Sequence, residues 1–215
     1  MGPDDWVACV HVDLMLKRLN AKKHRRKWVL FNCACCRRVW DRMPEGCRAY
    51  VEAAERYALG TGLKKALGPL RGPVNVALGQ LPSSSDAGPW YAASATSTVT
   101  NTTRYCAWNA ARAVGEPGRV AHRRERQAQA DLLREVLGNP FRPVAVEPAW
   151  LTWNGGAVPT MAQAILADGR FSDLPILADA LEEAGCTVET ILSHCRGGGE
   201  HVRGCWVIDL LTGQG

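Results

Sequence analysis

Two groups of residues in the 215-residue chain carry side chains suited to chemistry. The first is Cys33-Ala34-Cys35-Cys36, in which Cys33 and Cys36 have the C-x-x-C spacing. The second is His194-Cys195, followed by His201 and Cys205. Zinc takes four thiolate or imidazole ligands at tetrahedral corners. Cys33, Cys36, His194, Cys195, His201 and Cys205 are therefore candidate metal ligands, and zinc is the cofactor they suit. The same residue types permit nucleophilic catalysis, with Cys195 or Cys205 as nucleophile, His194 or His201 as base and Asp209 as orienter. A plainer reading stands beside both. A free cysteine behaves as a small hydrophobe, and at helical spacing Cys33 and Cys36 share a face with Val29 and Trp40, as in a buried helix. A redox role for Cys33 and Cys36 would need a preceding strand and a helix N-terminus at the first cysteine, and the pattern supplies neither. Gly197-Gly198-Gly199 separates His194 from His201. It either loops both imidazoles and Cys195 toward one point or leaves two exposed histidines on a flexible connection.

The nine cysteines cannot all pair within the chain. The N-terminus is acidic and lacks an apolar secretory core, so a reducing, cytoplasmic setting with free thiols is expected. No stretch approaches the ~18–20 consecutive apolar residues of a membrane span. Apolar residues make 47% of the chain and charged residues 22%, which excludes a disordered or collagen-like composition.

The net charge of +5 is unevenly placed. Residues 1–72 carry 15 basic against 7 acidic side chains, and residues 139–215 carry 4 against 9. Lys22, Lys23, Arg25, Arg26, Lys27, Arg37 and Arg38 make a basic surface over 17–38 that would suit nucleic acid or another polyanion. The alternatives are internal charge complementarity and a solvated face. Arg142, Arg196 and Arg203 are further candidate anion contacts. Arg142 reads equally as a buried structural arginine. No zinc-finger, RNP or basic-zipper spacing accompanies these charges.

The elements that must position these residues are helical. Apolar periodicity predicts helices over 4–19, 23–42, 46–59, 119–137, 159–168, 173–184, 187–196 and 202–211, with another through Tyr105 and Trp108. Ala128, Leu132, Leu133, Val136 and Leu137 form the inward stripe of the charged helix at 119–137. Gly169, Gly185 and Gly197 suit C-terminal caps. Residues 60–90 are rich in Gly, Pro and Ser, including Pro82-Ser83-Ser84-Ser85, and read as a linker or mobile loop. The eight tryptophans mostly fill core space, although Trp150 and Trp153 could line a groove. The predicted fold is all-α, a multi-helix bundle of two helical lobes. An N-terminal basic lobe spans 1–60, a Pro/Gly/Ser-rich connecting segment 61–103, and a C-terminal lobe 104–215.

Four motifs occur in order: Phe31-Asn-Cys-Ala-Cys-Cys-Arg-Arg-Val-Trp40, Gly138-Asn-Pro-Phe-Arg-Pro-Val144, Leu174-Pro-Ile-Leu-Ala-Asp-Ala-Leu-Glu-Glu-Ala-Gly-Cys186, and His194-Cys-Arg196 with His201-Val-Arg-Gly-Cys-Trp-Val-Ile-Asp-Leu210. Over roughly 1–58 and 128–213 the chain resembles an uncharacterised protein family abundant in planctomycete genomes. Members of that family often sit beside or are fused to repeat-companion modules. The resemblance implies a bacterial cytoplasmic protein and no particular activity. The Gly/Pro/Ser/Thr-rich stretch at 68–103 and the heavy basic run at 22–27 depart from the family pattern. The function expected is a non-catalytic helical binding or adaptor module acting on protein or nucleic acid. The alternatives are a zinc-stabilised nucleic-acid-binding protein using the 17–38 surface, and a cysteine-dependent hydrolase or transferase.

Overall fold

A computed structural model describes residues 1–20, 24–81 and 87–214. Among the described residues there are thirteen α-helices and no strand, which is the all-α class that the periodicity predicts. The chain divides into two compact units, Met1–Arg134 and Glu135–Gly215.

The first unit holds α1 (Pro3–Ala8), α2 (Val12–Lys17), α3 (Arg25–Arg37), α4 (Glu45–Ala58), α5 (Leu67–Gln80), α6 (Gly88–Ser97), α7 (Thr103–Val114) and most of α8 (Val120–Leu137). The single helix expected over 4–19 is interrupted at Cys9, whose backbone is extended. A helix end leaves carbonyls without intrahelical partners. Here Arg134 Nη1 donates to Trp6 O at 3.2 Å and Cys9 O at 2.7 Å, so a tertiary donor stabilises the break. Helix α3 is buried on every side from Lys27 to Cys36 and packs on α4 and α7. Asn32 Nδ2 donates to Val99 O at 2.8 Å, which satisfies its amide N–H inside that apolar setting, while its Oδ1 has no hydrogen-bond partner among the described residues. Helix α4 closes at Gly60, whose φ of +75° suits glycine.

The structure corrects the expected linker over 61–103. Helices α5 and α6 occupy most of it, while its Pro82-Ser83-Ser84-Ser85 run lies outside the described residues. Helix α5 forms despite Gly68, Gly72 and an internal Pro73 because α4 supplies a matching surface. A Cβ at Gly46 would sit 2.8 Å from Pro73 Cβ, so the missing side chain lets the two helices approach. Helix α6 buries Ala92, Ala93, Ser94, Ala95 and Thr96 against Ala107, Ala110 and Ala111 of α7. Small side chains allow this close packing. Asn109 Nδ2 ties the pair by donating to Ser94 Oγ at 3.0 Å.

The second unit holds α9 (Pro148–Thr152), α10 (Ala157–Asp168), α11 (Leu174–Glu183), α12 (Glu189–Arg196) and α13 (Trp206–Leu211). Helix α11 lies between α10 and α12, and α10 also meets α9 and α13. Trp150, Ile165, Leu177, Leu181, Ile191 and Ile208 form its core. Each such side chain contributes roughly 1.5–3 kcal/mol on burial. Trp150 is therefore a core residue and lines no groove; Trp153 packs partly buried against the same cluster. Gly169 and Gly185 cap their helices at positive φ, as expected, but Gly197 has φ −66° and ψ 143° and leaves the helix extended. Among the described residues no helix is long and apolar enough to cross a membrane.

Candidate metal centre

Four side chains of the second unit converge. Glu135 stands near the end of α8, and His194 on the last turn of α12. His201 lies in the following loop, and Cys205 caps the start of α13. One ligand atom from each lies within 4.8 Å of the other three. His194 Nε2 is 3.2 Å from Cys205 Sγ and 3.2 Å from Glu135 Oε2. His201 Nδ1 is 3.2 Å from both oxygens of Glu135. Tetrahedral ligands 2.0–2.3 Å from zinc are separated by about 3.3–3.8 Å; these three contacts lie close to that edge length, and the other pairs fall within 4.8 Å. This group can hold a metal ion.

The local sequence explains the convergence. The glycine run after α12 frees the chain to turn, and His201 Nε2 donates to Gly197 O at 3.4 Å. Cys205 N then closes a turn onto Val202 O at 3.0 Å. Gly204 sits third in that turn with φ +99°, a position that favours glycine. Val202 N donates to Glu135 Oε1 at 3.4 Å, which ties the loop to the carboxylate. Gly138, with φ +63°, lies beneath Trp206: a Cβ there would meet the indole at 3.0 Å. Trp206 Nε1 in turn donates to His194 Nδ1 at 3.2 Å.

Protonation follows from these contacts. Hydrogen bonding to Glu135 raises the pKa of His201, opposed by partial burial. Burial lowers that of His194, with Glu135 acting the other way. Burial, then the Glu135 charge, pushes the Cys205 thiol well up. Without a metal, therefore, the Glu135 contact favours the protonated form of His201, and burial favours the neutral form of the Cys205 thiol. A metal takes the place of those protons. His201 is oriented for this, because its far nitrogen already donates to a backbone carbonyl. His194 is not, because the Trp206 donor occupies Nδ1 and leaves the proton on Nε2. Glu135, His201 and Cys205 fit a metal as they stand, and His194 joins once its Trp206 bond opens.

The other expected ligands lie elsewhere. Cys195 is buried in the core of the second unit, where burial pushes its thiol up to about 12. Cys33 and Cys36 belong to the first unit and are not in the four-donor group. Cys33 Sγ donates to Val51 O at 3.7 Å, and Cys36 Sγ lies 3.9 Å from Cys106 Sγ. They are packed thiols of a buried helix. Glu135 was not among the sequence candidates, yet it falls three residues after Leu132 and seven after Ala128, on the inward stripe. A carboxylate on an apolar stripe is the available sign of a polar partner.

Cys205 and His194 make a thiol–imidazole pair, but the sulfur is fully buried. The imidazole nitrogen that an orienting carboxylate should occupy accepts from an indole instead. Asp209 is also fully buried, not solvent-facing.

The expected anion contacts are mostly engaged within the protein. Arg37 donates to Glu55 at 3.0 Å, Arg38 to both oxygens of Glu125 at 3.0 Å, and Arg26 to Ala58 O at 2.9 Å. Lys27 is buried, and Arg25 is exposed. Lys22 and Lys23 lie outside the described residues. Arg196 pairs with Asp179 and Glu182 of α11, and this holds the Glu182 carboxyl low. Arg142 is exposed, not a buried structural arginine, and Arg203 is half-buried.

The fold and the site define a class: an all-α chain whose second unit gathers a Glu–His–His–Cys group able to hold a metal ion. No family model, curated protein or solved structure matches the chain.

Proposed function

We propose that the protein is a non-catalytic helical binding module whose second unit is stabilised by a structural zinc ion. The observation that carries this reading is the burial of the donor set, in which Glu135, His201 and Cys205 converge and His194 completes four ligands once its Trp206 bond opens. Structural zinc sites use four protein ligands and leave no open position, whereas catalytic ones keep a place for water or substrate. Cys205 has no exposure, and the side chains of Glu135, His201 and His194 are only 6%, 11% and 18% exposed. A mixed set of thiolate, imidazole and carboxylate suits zinc better than calcium or magnesium. The motif resemblance adds a bacterial cytoplasmic setting to the proposal.

Metal analysis of the full chain, purified without chelator, tests it. About one zinc per chain is expected, lost on Cys205→Ser and on His201→Ala but retained on Cys33→Ser. Free zinc at 100 times its dissociation constant stabilises by about 2.7 kcal/mol, so the melting transition of the second unit should rise by roughly 10–20 °C. A metal-free protein whose melting ignores added zinc overturns the reading.

A further inference from the structure

The first unit contains a cavity of about 520 Å3 bordered by four basic side chains, Arg25, Lys64, Lys65 and Arg71. They come from three separate places: the first residue of α3, the turn at 64–66 ahead of α5, and α5 itself. Among the described residues no Asp or Glu lines the cavity. Elsewhere in the unit Arg37, Arg38, Arg112 and Arg126 each form an ion pair with a carboxylate. None of the four cavity cations makes an ion pair or side-chain hydrogen bond among the described residues. Four like charges around one concavity repel one another, and a cleft with apolar walls concentrates their field. That arrangement is relieved by a multiply charged anion.

The remaining lining says more about the ligand. Val29 and Leu67 are 4% and 6% exposed and form an apolar floor, and the half-buried Tyr57 presents an aromatic ring. Thr100 and Asn101 add polar groups that can bond to a base or sugar. The volume falls within the range of small-molecule pockets, about 300–1,000 Å3. Reading duplex DNA instead requires an element that protrudes into a groove, and this surface is concave.

From these observations we infer that the first unit binds a nucleoside di- or triphosphate here. The phosphates lie against Arg25, Lys64, Lys65 and Arg71, and the base lies over the floor beside Tyr57. This site is separate from the zinc reading and stands without it.

Calorimetric titration of the full chain with ADP, inorganic pyrophosphate and a short oligothymidylate tests the assignment. In about 50 mM salt, ADP should bind with a dissociation constant well below about 1 mM and more tightly than pyrophosphate. Lys65→Glu with Arg71→Glu should weaken ADP about tenfold or more. These side chains are exposed, so the melting curve should hold. Gly68→Phe is a steric test. Gly68 borders the cavity and a Cβ there meets nothing within 4 Å, so a phenylalanine is accommodated at the cavity's edge and should also reduce ADP binding. Absence of ADP binding, ADP affinity unchanged by both variants, or pyrophosphate binding as tightly as ADP would overturn the proposal. Tighter binding of the oligonucleotide than of ADP would also overturn it, in favour of a single-strand groove.

Discussion

The indole N–H of Trp206 donates to Nδ1 of His194 across 3.2 Å, and this fixes where the imidazole keeps its proton. An indole nitrogen only donates, so Nδ1 must accept and the ring proton sits on Nε2, facing Cys205 and Glu135. A metal on Nε2 would move that proton to Nδ1, opposite a second donor. Trp206→Phe should therefore strengthen zinc binding by roughly 3–10-fold, the worth of one neutral hydrogen bond. In the unsubstituted protein, zinc should change Trp206 fluorescence as the bond opens. Weaker zinc binding by Trp206→Phe would show that the indole supports the ligand set.

Zinc affinity should fall as pH falls. Burial holds the Cys205 thiol up and the Glu135 contact raises His201, so both shifts favour the protonated forms that a metal must displace. Titrations in two buffers of different ionisation enthalpy should register at least one proton released per zinc at pH 7. A pH-independent constant between about pH 6 and 8 would place the metal on other donors.

Gly138→Ala should destabilise the second unit by about 1–3 kcal/mol. The position has φ +63°, and an added Cβ would press on the Trp206 indole at 3.0 Å. Gly68→Ala serves as the control, since its Cβ enters open space and glycine is disfavoured inside a helix. Chemical denaturation of the two variants should separate them in sign.

Arg38→Ala should cost the first unit roughly 3–5 kcal/mol, because it removes the guanidinium that bonds both oxygens of the buried Glu125. The glutamate side chain is 6% exposed and takes Arg38 Nε on both oxygens at 3.0 Å. Arg38→Met with Glu125→Leu should recover much of the loss. Equal damage from the double substitution would mean that packing, not the lost ion pair, sets the cost.

Acid should weaken the first unit through His122. Burial, with Arg126 and Arg112 nearby, holds its pKa below the ordinary 6.5, and Nε2 has no hydrogen-bond partner among the described residues. The unfolded chain then takes up the proton first as pH falls. Stability is therefore complete above about pH 6.5 and declines below it. His122→Phe keeps a ring against Trp108, 5.2 Å away in the native pair, and should flatten the decline between about pH 5 and 6.5. An unchanged slope would assign the acid sensitivity to other groups.

The helical class was legible because its elements carry strong 3.6-residue stripes, as at Tyr50, Ala53 and Ala54 of α4. Helices α5 and α6 were not, because their composition is that of a loop. What makes them helical is contact with partners distant in sequence, Pro73 on Gly46 and Ser94 on Asn109. Three of the four donors of the site were readable as well. His194, His201 and Cys205 announce themselves by type and spacing. Glu135, hidden among leucines 59 residues before His194, is visible only if a charged residue on an apolar stripe is taken as meaningful. The basic surface was the least legible part, because composition shows a charge without its counterpart. Glu55 and Glu125 stand 18 and 87 residues from the arginines they hold.

Eight of the nine thiols are buried, and Cys9, in the break after α1, is the one that is not. A maleimide dye added to the native molecule would thus attach at a single defined place, without any engineered substitution. The remaining sulfurs become a clock. The rate at which each yields to the reagent reports how often the interior opens around it, helix by helix.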